Sequence, residues 1–106
     1  MSTPIINFSY NWNNKLNCKA FTTIRLKNVN KYQIGKEYNI LLKKQLLKSA
    51  IIEDIKTIYF NQINEFIARV DTGYSAEETK NILKKMYSKI NLETQPFSLI
   101  LLSTIK

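Results

Sequence analysis

The stretch that decides the fold is KAFTTIRL, residues 19–26. Its β-branched and aromatic side chains favour a β-strand. Alternate residues of a strand share a face, which places one row of side chains together: Lys19, Phe21, Thr23 and Arg25. The opposite row is the more apolar: Ala20, Thr22, Ile24 and Leu26. The sequence therefore predicts a strand with one core face and one polar face, the latter with an ammonium, a hydroxyl and a guanidinium beside an aromatic ring.

Further strands are predicted on both sides of this stretch. Residues 5–10 alternate weakly and indicate a short strand, and residues 11–17 indicate an asparagine-rich loop or single helical turn that holds Trp12. Residues 37–43 carry apolar side chains at period two. A hairpin then leads into a long strand over residues 46–58.

The last 45 or so residues change to a helical pattern. A first short helix is indicated by apolar residues at spacings of three and four: Ile63, Phe66, Ile67 and Val70. Gly73 suits the left-handed end of that helix, and Ser75 with Glu78 forms a capping box that starts a second. Its predicted inner face is Thr79, Ile82, Leu83, Met86, Tyr87 and Ile90. Pro96 excludes further helix, and residues 97–105 predict a closing strand.

Grouped strands followed by a helical pair and one last strand predict an α+β fold, not alternating parallel α/β. The chain of 106 residues fits a single domain over residues 1–106.

Composition excludes several functional classes. Histidine is absent, which removes Ser-His-Asp and Cys-His catalysis and the usual zinc and non-haem iron ligand sets. The single cysteine, Cys18, excludes an internal disulfide. Neither a signal peptide nor an apolar run long enough for a bilayer is visible, so we expect a cytoplasmic protein without a membrane partner, metal or cofactor.

The net charge of +8 is unevenly distributed. Residues 1–48 hold nine basic side chains and one acid, whereas residues 49–106 hold seven of each sign. Clustered cations attract phosphate and release counterions when they bind it, although a lysine-rich surface also serves solubility alone. The charge is therefore compatible with an RNA or nucleotide partner.

Residues 19–25 resemble the Lys-Thr-x-Thr-x-Arg signature of ASCH domains, members of the PUA-like superfamily. The resemblance extends to the Gly35 turn at residues 31–38, to the helical pair around residues 71–75 and Met86-Tyr87, and to the closing strand. It is nearest to compact single-domain members from bacteria and phages. It implies a mixed, mostly antiparallel β-barrel of about five to six strands with two adjacent helices before the last strand.

The resemblance also implies a basic cleft at the barrel mouth that binds RNA, a nucleotide or a modified nucleoside. Some compact members are amidohydrolases that deacetylate N4-acetylcytidine. Carried over, their roles give Thr23 as nucleophile, Lys19 as its base and Asp71 as the carboxylate. Lys19 lies three residues before Thr22 and four before Thr23, so either hydroxyl is a candidate partner.

Five further side chains are candidates for nucleic-acid or nucleotide contacts: Phe21, Arg25, Lys27, Trp12 and Tyr74. Aromatic rings stack on bases and guanidinium groups pair with phosphate. Structural roles are open alternatives: core packing for Trp12 and Tyr74, and a salt bridge from Arg25 to Asp71 or Glu37.

Three functions follow from these observations. The first is a binding module for RNA, a nucleotide or a nucleoside. The second is an amidohydrolase that acts on a modified base through Lys19, Thr23 and Asp71. The third is a protein-interaction or inhibitor module of the kind that phages encode.

Overall fold

The computed structural model describes residues 3–105. The described elements, in chain order, are β1 (Ile5–Phe8), a 3₁₀ segment (Trp12–Asn17), β2 (Ala20–Leu26), β3 (Glu37–Leu42), β4 (Gln45–Ile58), a short 3₁₀ turn (Phe60–Gln62), α1 (Glu65–Asp71), α2 (Ala76–Met86) and β5 (Phe97–Thr104). The predicted order of strands and helices is confirmed.

The five strands form one sheet in the order β1-β3-β4-β5-β2. β1 pairs with β3 in parallel, and the other three pairings are antiparallel. The sheet curls into a half-barrel, with both helices between β4 and β5. The predicted α+β class, the mixed sheet and the position of the helices are thus confirmed. The two edge strands, β1 and β2, are consecutive in the chain and lie on either side of the opening.

Two local signals fix the connections. Lys43 and Lys44 both have positive φ, 51° and 67°, and make the two-residue turn between β3 and β4, a conformation that suits the twist of a hairpin. The predicted capping box at the start of α2 is present: Ser75 Oγ accepts from the Glu78 backbone N–H at 3.1 Å, and the Glu78 carboxylate accepts from the Ser75 N–H at 3.2 Å.

The sheet separates two apolar clusters. The first cluster comprises Ile6, Phe8, Leu16, Phe21, Tyr32, Tyr38, Ile40, Ala50, Ile52, Ile100 and Leu102. The second, beneath the helices, comprises Ile24, Ile58, Ile63, Ala68, Leu83, Leu92 and Phe97. Both faces of β2 are therefore covered, and the prediction of one core face and one polar face was wrong. Phe21 and Thr23 are buried, whereas Ala20 is exposed.

The predicted inner faces of the helices also need correction. Phe66 and Val70 are 77% and 48% exposed, while Ala68 and Asp71 are buried. α1 is rotated so that a small residue approaches the sheet and a carboxylate points inward. Met86, predicted to face inward, is 54% exposed because it lies at the last position of α2.

Candidate functional site

A cavity of about 260 Å³ lies at the opening between β1 and β2. The 3₁₀ segment and the two helices complete its walls. Its lining residues are Asn7, Phe8, Ser9, Trp12, Lys15, Thr23, Ile24, Arg25, Asp71, Thr72, Thr79, Ile82, Leu83, Met86 and Tyr87. Most of the wall is apolar, and the polar groups come from five different elements: β1, the 3₁₀ segment, β2, α1 and α2. Concave, mainly apolar sites with a few convergent polar groups are typical of small-molecule binding.

The 3₁₀ segment turns sharply because Asn13 and Asn14 adopt positive φ angles of 58° and 52°, a conformation that asparagine tolerates better than most residues. Asn11 Oδ1 accepts a hydrogen bond from the Leu16 N–H at 2.9 Å, and the Leu16 side chain is 1% exposed. These contacts place Lys15 inward at the end of the cavity.

Lys15 and Asp71 form a buried ion pair. Lys15 Nζ donates to Asp71 Oδ1 at 2.8 Å, and the side chains are only 6% and 8% exposed. Thr22 Oγ1 donates to the same carboxylate oxygen at 2.9 Å. Burial lowers the pKa of Lys15 below its ordinary value, although the neighbouring Asp71 carboxylate opposes that shift. Asp71 is the last residue of α1, where the helix dipole disfavours a negative charge, so the lysine compensates for an unfavourable position.

Arg25 links the two edge strands across the opening. Its Nε donates to Thr23 Oγ1 at 3.1 Å, and its Nη2 donates to the backbone oxygen of Asn7 at 2.8 Å. The guanidinium lies over the Phe8 ring, 4.7 Å from the centroid, an arrangement that a cation–π interaction stabilises. A guanidinium has five N–H donors, so three have no partner among residues 3–105.

The charges of the cavity leave a net positive site at Arg25. Lys15 and Asp71 neutralise each other, and no other charged side chain is among the lining residues in the described range. Burial raises the pKa of the Tyr87 hydroxyl, and the nearby Arg25 charge partly opposes the shift. The phenol is therefore a neutral donor and acceptor. The cavity can hold a planar, partly apolar ligand that offers a carbonyl or anionic oxygen to Arg25.

Four predicted site residues line the cavity: Trp12, Thr23, Arg25 and Asp71. Tyr74 lies beside it, with its ring centroid 6.0 Å from that of Trp12. Arg25 forms no salt bridge with either predicted acidic partner in the described chain.

Three predicted site residues are elsewhere. Lys19 is exposed and lines a separate shallow surface with Cys18 and Lys48. The lysine that contacts Asp71 is Lys15, and Lys19, predicted as the base for Thr23, lies outside the cavity that Thr23 lines. Phe21 is 3% exposed and packs edge-on against Phe8, so its ring cannot stack on a ligand in this structure.

Lys27 also lies outside the cavity. It is exposed and donates to Thr57 Oγ1 at 3.0 Å. Of the basic residues of the N-terminal half, only Lys15 and Arg25 line the cavity. The predicted basic cleft thus contains one uncompensated cation rather than a dense cationic surface.

Sequence reasoning missed Lys15 and the backbone oxygen of Asn7. Lys15 lies in an asparagine-rich stretch that reads as a solvated loop, and its partner is 56 residues away. The one local signal was the isolated apolar Leu16 beside it, which indicates that part of this polar stretch packs against the core.

Within residues 3–105, no group of three or more His, Cys, Asp or Glu side chains is arranged to hold a metal ion. None of the described helices is both long and apolar enough to cross a bilayer. Comparison with protein-family models, curated proteins and solved structures gave no match.

Proposed function

We propose that the protein binds a nucleoside or nucleotide, free or as one residue of an RNA, with the base in the cavity between β1 and β2. The observation that carries the proposal is Arg25, held at the opening with three N–H groups free of protein partners in the described chain. Apolar side chains from β2 and α2 supply the remaining walls. A guanidinium beside an apolar slot suits a planar base that bears a carbonyl or phosphate.

The volume supports a ligand of this size. At about 260 Å³ the cavity lies just below the range of about 300–1,000 Å³ for sites that hold drug-sized molecules. It accommodates one base and is too small for a structured RNA. RNA would therefore enter as a single unstacked nucleotide, which is the usual mode of sequence-specific RNA recognition.

Membership of the ASCH family is part of the proposal. The α+β half-barrel with a helical pair before the last strand is compatible with it. Two residues of the resembling motif, Thr23 and Arg25, contact each other at the cavity wall. The single cysteine is in keeping with a cytoplasmic location.

The test is calorimetric titration with cytidine 5′-monophosphate and with cytidine. We expect Arg25→Ala to weaken nucleotide binding roughly 10- to 150-fold, the range for a lost hydrogen bond to a charged group. Arg69→Ala is the matched control, because Arg69 is exposed and pairs with Glu65 outside the cavity. Equal binding by wild type and Arg25→Ala would refute the proposal.

Salt dependence separates cavity binding from diffuse attraction to the lysines. One phosphate contact gives a slope of about −0.7 in log K against log salt for a single strand. With a short single-stranded RNA as the probe, we therefore expect a slope near that value between about 50 and 200 mM salt. A slope several times steeper would place binding on the exposed lysines instead.

The second candidate is an amidohydrolase for a modified base such as N4-acetylcytidine. The favouring observation is that a hydroxyl, an ammonium and a carboxylate meet at Asp71 Oδ1, at 2.9 and 2.8 Å. The hydroxyl in that contact is that of Thr22, which lines a separate recess beside Phe21 and Val70. Thr23 lines the cavity itself, and its Oγ1 accepts from Arg25 Nε. In the reaction, Asp71 would take the threonine proton, the oxygen would attack the acyl carbon, and the C–N bond would break with proton return to the amine. Water would then hydrolyse the acyl ester.

Cytidine release from N4-acetylcytidine tests this candidate. Turnover abolished by Thr22→Val but retained in Thr23→Val would assign the nucleophile to Thr22, and the reverse result would assign it to Thr23. Lys19→Ala is the control, since Lys19 is outside the cavity. Absence of turnover in wild type would reject catalysis and leave the binding proposal intact.

A further inference from the structure

A groove adjoins the cavity on the other side of Trp12. Its lining residues are Trp12, Tyr74, Glu78, Asn81, Ile82 and Lys85. Trp12 and Ile82 line both the groove and the cavity. The two recesses are therefore neighbours that share a wall, and a ligand that leaves the cavity past Trp12 enters the groove.

Three aromatic rings cluster at this shared wall. The Tyr10 and Trp12 centroids are 4.7 Å apart, and those of Trp12 and Tyr74 are 6.0 Å apart. Tyr10 and Tyr74 are 50% and 41% exposed. Exposed aromatic side chains that lie together at the mouth of a cavity are unusual for core packing, and such rings are the platforms on which single-stranded bases stack.

The polar groups of the groove also fit a nucleotide. Lys85 is exposed and forms no salt bridge with a residue in 3–105, so its ammonium is available for phosphate. The Asn81 amide offers a donor and an acceptor to a base edge. The carboxylate among the lining residues, that of Glu78, accepts from the Ser75 N–H and hydroxyl through Oε1, which fixes it in the first turn of α2.

We infer that the groove binds the nucleotide adjacent to the one in the cavity, and that the ligand is a single-stranded nucleic acid of at least two nucleotides. The inference rests on the proposed function and specifies its ligand class. One base occupies the cavity beside Arg25, the next stacks on Tyr74 at the far side of Trp12, and Lys85 contacts the phosphate of that second nucleotide.

Trp12 provides the readout, because it is the only tryptophan of the chain and lines both recesses. Its fluorescence is titrated with three probes: cytidine 5′-monophosphate, the dinucleotide CpC, and CpC with an abasic second position. Base stacking on an aromatic ring corresponds to roughly 5- to 150-fold in affinity. We expect CpC to bind tighter than the abasic probe, which keeps the phosphate but lacks the second base, by a factor in that range, and tighter than the monophosphate by at least as much.

Variants locate the effect. Tyr74→Ala removes the affinity difference between CpC and the abasic probe, and Tyr74→Phe retains it. Tyr59→Ala is the matched control, because Tyr59 is 43% exposed and lines neither recess. Thermal unfolding of each variant confirms that the fold is intact.

The outcomes separate the two proposals. If CpC and the monophosphate bind equally well to wild type, the groove holds no base and this inference is wrong, while the proposed function stands. If the CpC advantage survives Tyr74→Ala, the second base lies elsewhere and the inference is also wrong. If none of the probes binds, both proposals fail.

Discussion

Two neighbouring buried regions, the first apolar cluster and the wall of the cavity, differ in what they contain, although Phe8 belongs to both. The first apolar cluster is lined by aliphatic and aromatic side chains, with Ile100 and Leu102 fully buried. The wall of the cavity instead buries Lys15, Thr23 and Asp71, each of which is at most 5% exposed as a whole residue. Burial of apolar surface stabilises a fold, whereas a buried ion pair contributes little net stability. The apolar cluster therefore maintains the fold, whereas the buried polar groups of the wall are compatible with the ligand binding proposed above.

The largest expected effect is on the ion pair. Lys15→Met leaves the Asp71 carboxylate buried without its partner, and we expect a loss of about 3–5 kcal/mol in the free energy of unfolding. The double variant Lys15→Met/Asp71→Leu removes both charges and should recover most of that loss. In the apolar cluster, Ile100→Ala should cost about 2–5 kcal/mol, and the added Leu102→Ala should deepen the loss. Denaturant unfolding measures the free energy of unfolding of these four variants. If Lys15→Met/Asp71→Leu were as unstable as Lys15→Met, the loss would not come from an unpaired buried carboxylate, and the contrast between the two regions would be wrong.

Substitutions that preserve volume should separate affinity from stability. Thr23→Val removes the acceptor for Arg25 Nε, so we expect nucleotide affinity to fall by about 1 kcal/mol, or roughly fivefold, with little change in unfolding. Ile100→Val should do the opposite: a loss of about 0.5–1.5 kcal/mol in stability and unchanged affinity. Calorimetry measures the nucleotide affinity of the two variants, and denaturant unfolding measures their stability. If each variant lost affinity and stability together, the apolar cluster and the cavity wall would act as one unit, and the comparison would be wrong.

Stability should also depend on pH through Lys15. Burial lowers its pKa in the folded protein below the ordinary value of 10.5, so between those two values the unfolded chain binds more protons. Stability then rises with pH through that window. Lys15→Met should show a shallower rise, with the contribution of Lys48, whose pKa burial also lowers, retained.

The measurement is the unfolding free energy against pH, taken below the ordinary tyrosine value of 10.0. Above it Tyr87, whose pKa burial raises, acts in the opposite direction. Identical slopes for wild type and Lys15→Met would show that Lys15 keeps an ordinary pKa in the folded state.

The smallest effect distinguishes two glycines with positive φ. Gly35 has φ 86° and open space where a Cβ would lie, whereas a Cβ on Gly73 would lie 3.0 Å from the Asn13 side chain. Both Gly→Ala substitutions should cost about 1–2 kcal/mol from the left-handed backbone. Gly73→Ala should cost a few tenths more, since the exposed Asn13 side chain can shift. Thermal unfolding compares the stability of the two variants. A smaller loss for Gly73→Ala than for Gly35→Ala would show that the Asn13 side chain does not oppose the added Cβ.

Much of the fold could be predicted because its signals are local. The Ser75–Glu78 capping box, the period-two strands and the turn at Lys43 and Lys44 each depend on a few neighbouring residues. The orientation of α1 could not be predicted, because the spacing of its apolar residues favours Phe66 and Val70 as the inner face. Contact with the sheet instead selects Ala68 and Asp71, through tertiary packing that helical periodicity does not contain.

The site was predictable in part for the same reason. Thr23 and Arg25 lie on one strand, so period two brings them together. Lys15 is placed by two asparagines with positive φ and by a carboxylate 56 residues away. The resemblance to the ASCH signature predicted Lys19 as the lysine of the site instead. Lys19 lies four residues after Lys15 and is exposed at the surface.

The central claim, that Arg25 anchors a ligand in the cavity, is tested most directly by arginine side-chain NMR. The chain has two arginines, Arg25 and Arg69, and their Nε–H groups give two signals in a ¹⁵N-labelled protein. Arg25 contacts the cavity, while Arg69 is exposed and paired with Glu65, so it serves as an internal reference. On addition of cytidine 5′-monophosphate, the account predicts a saturable shift of the Arg25 signal and a static Arg69 signal. A static Arg25 signal, or equal shifts of both, would contradict it.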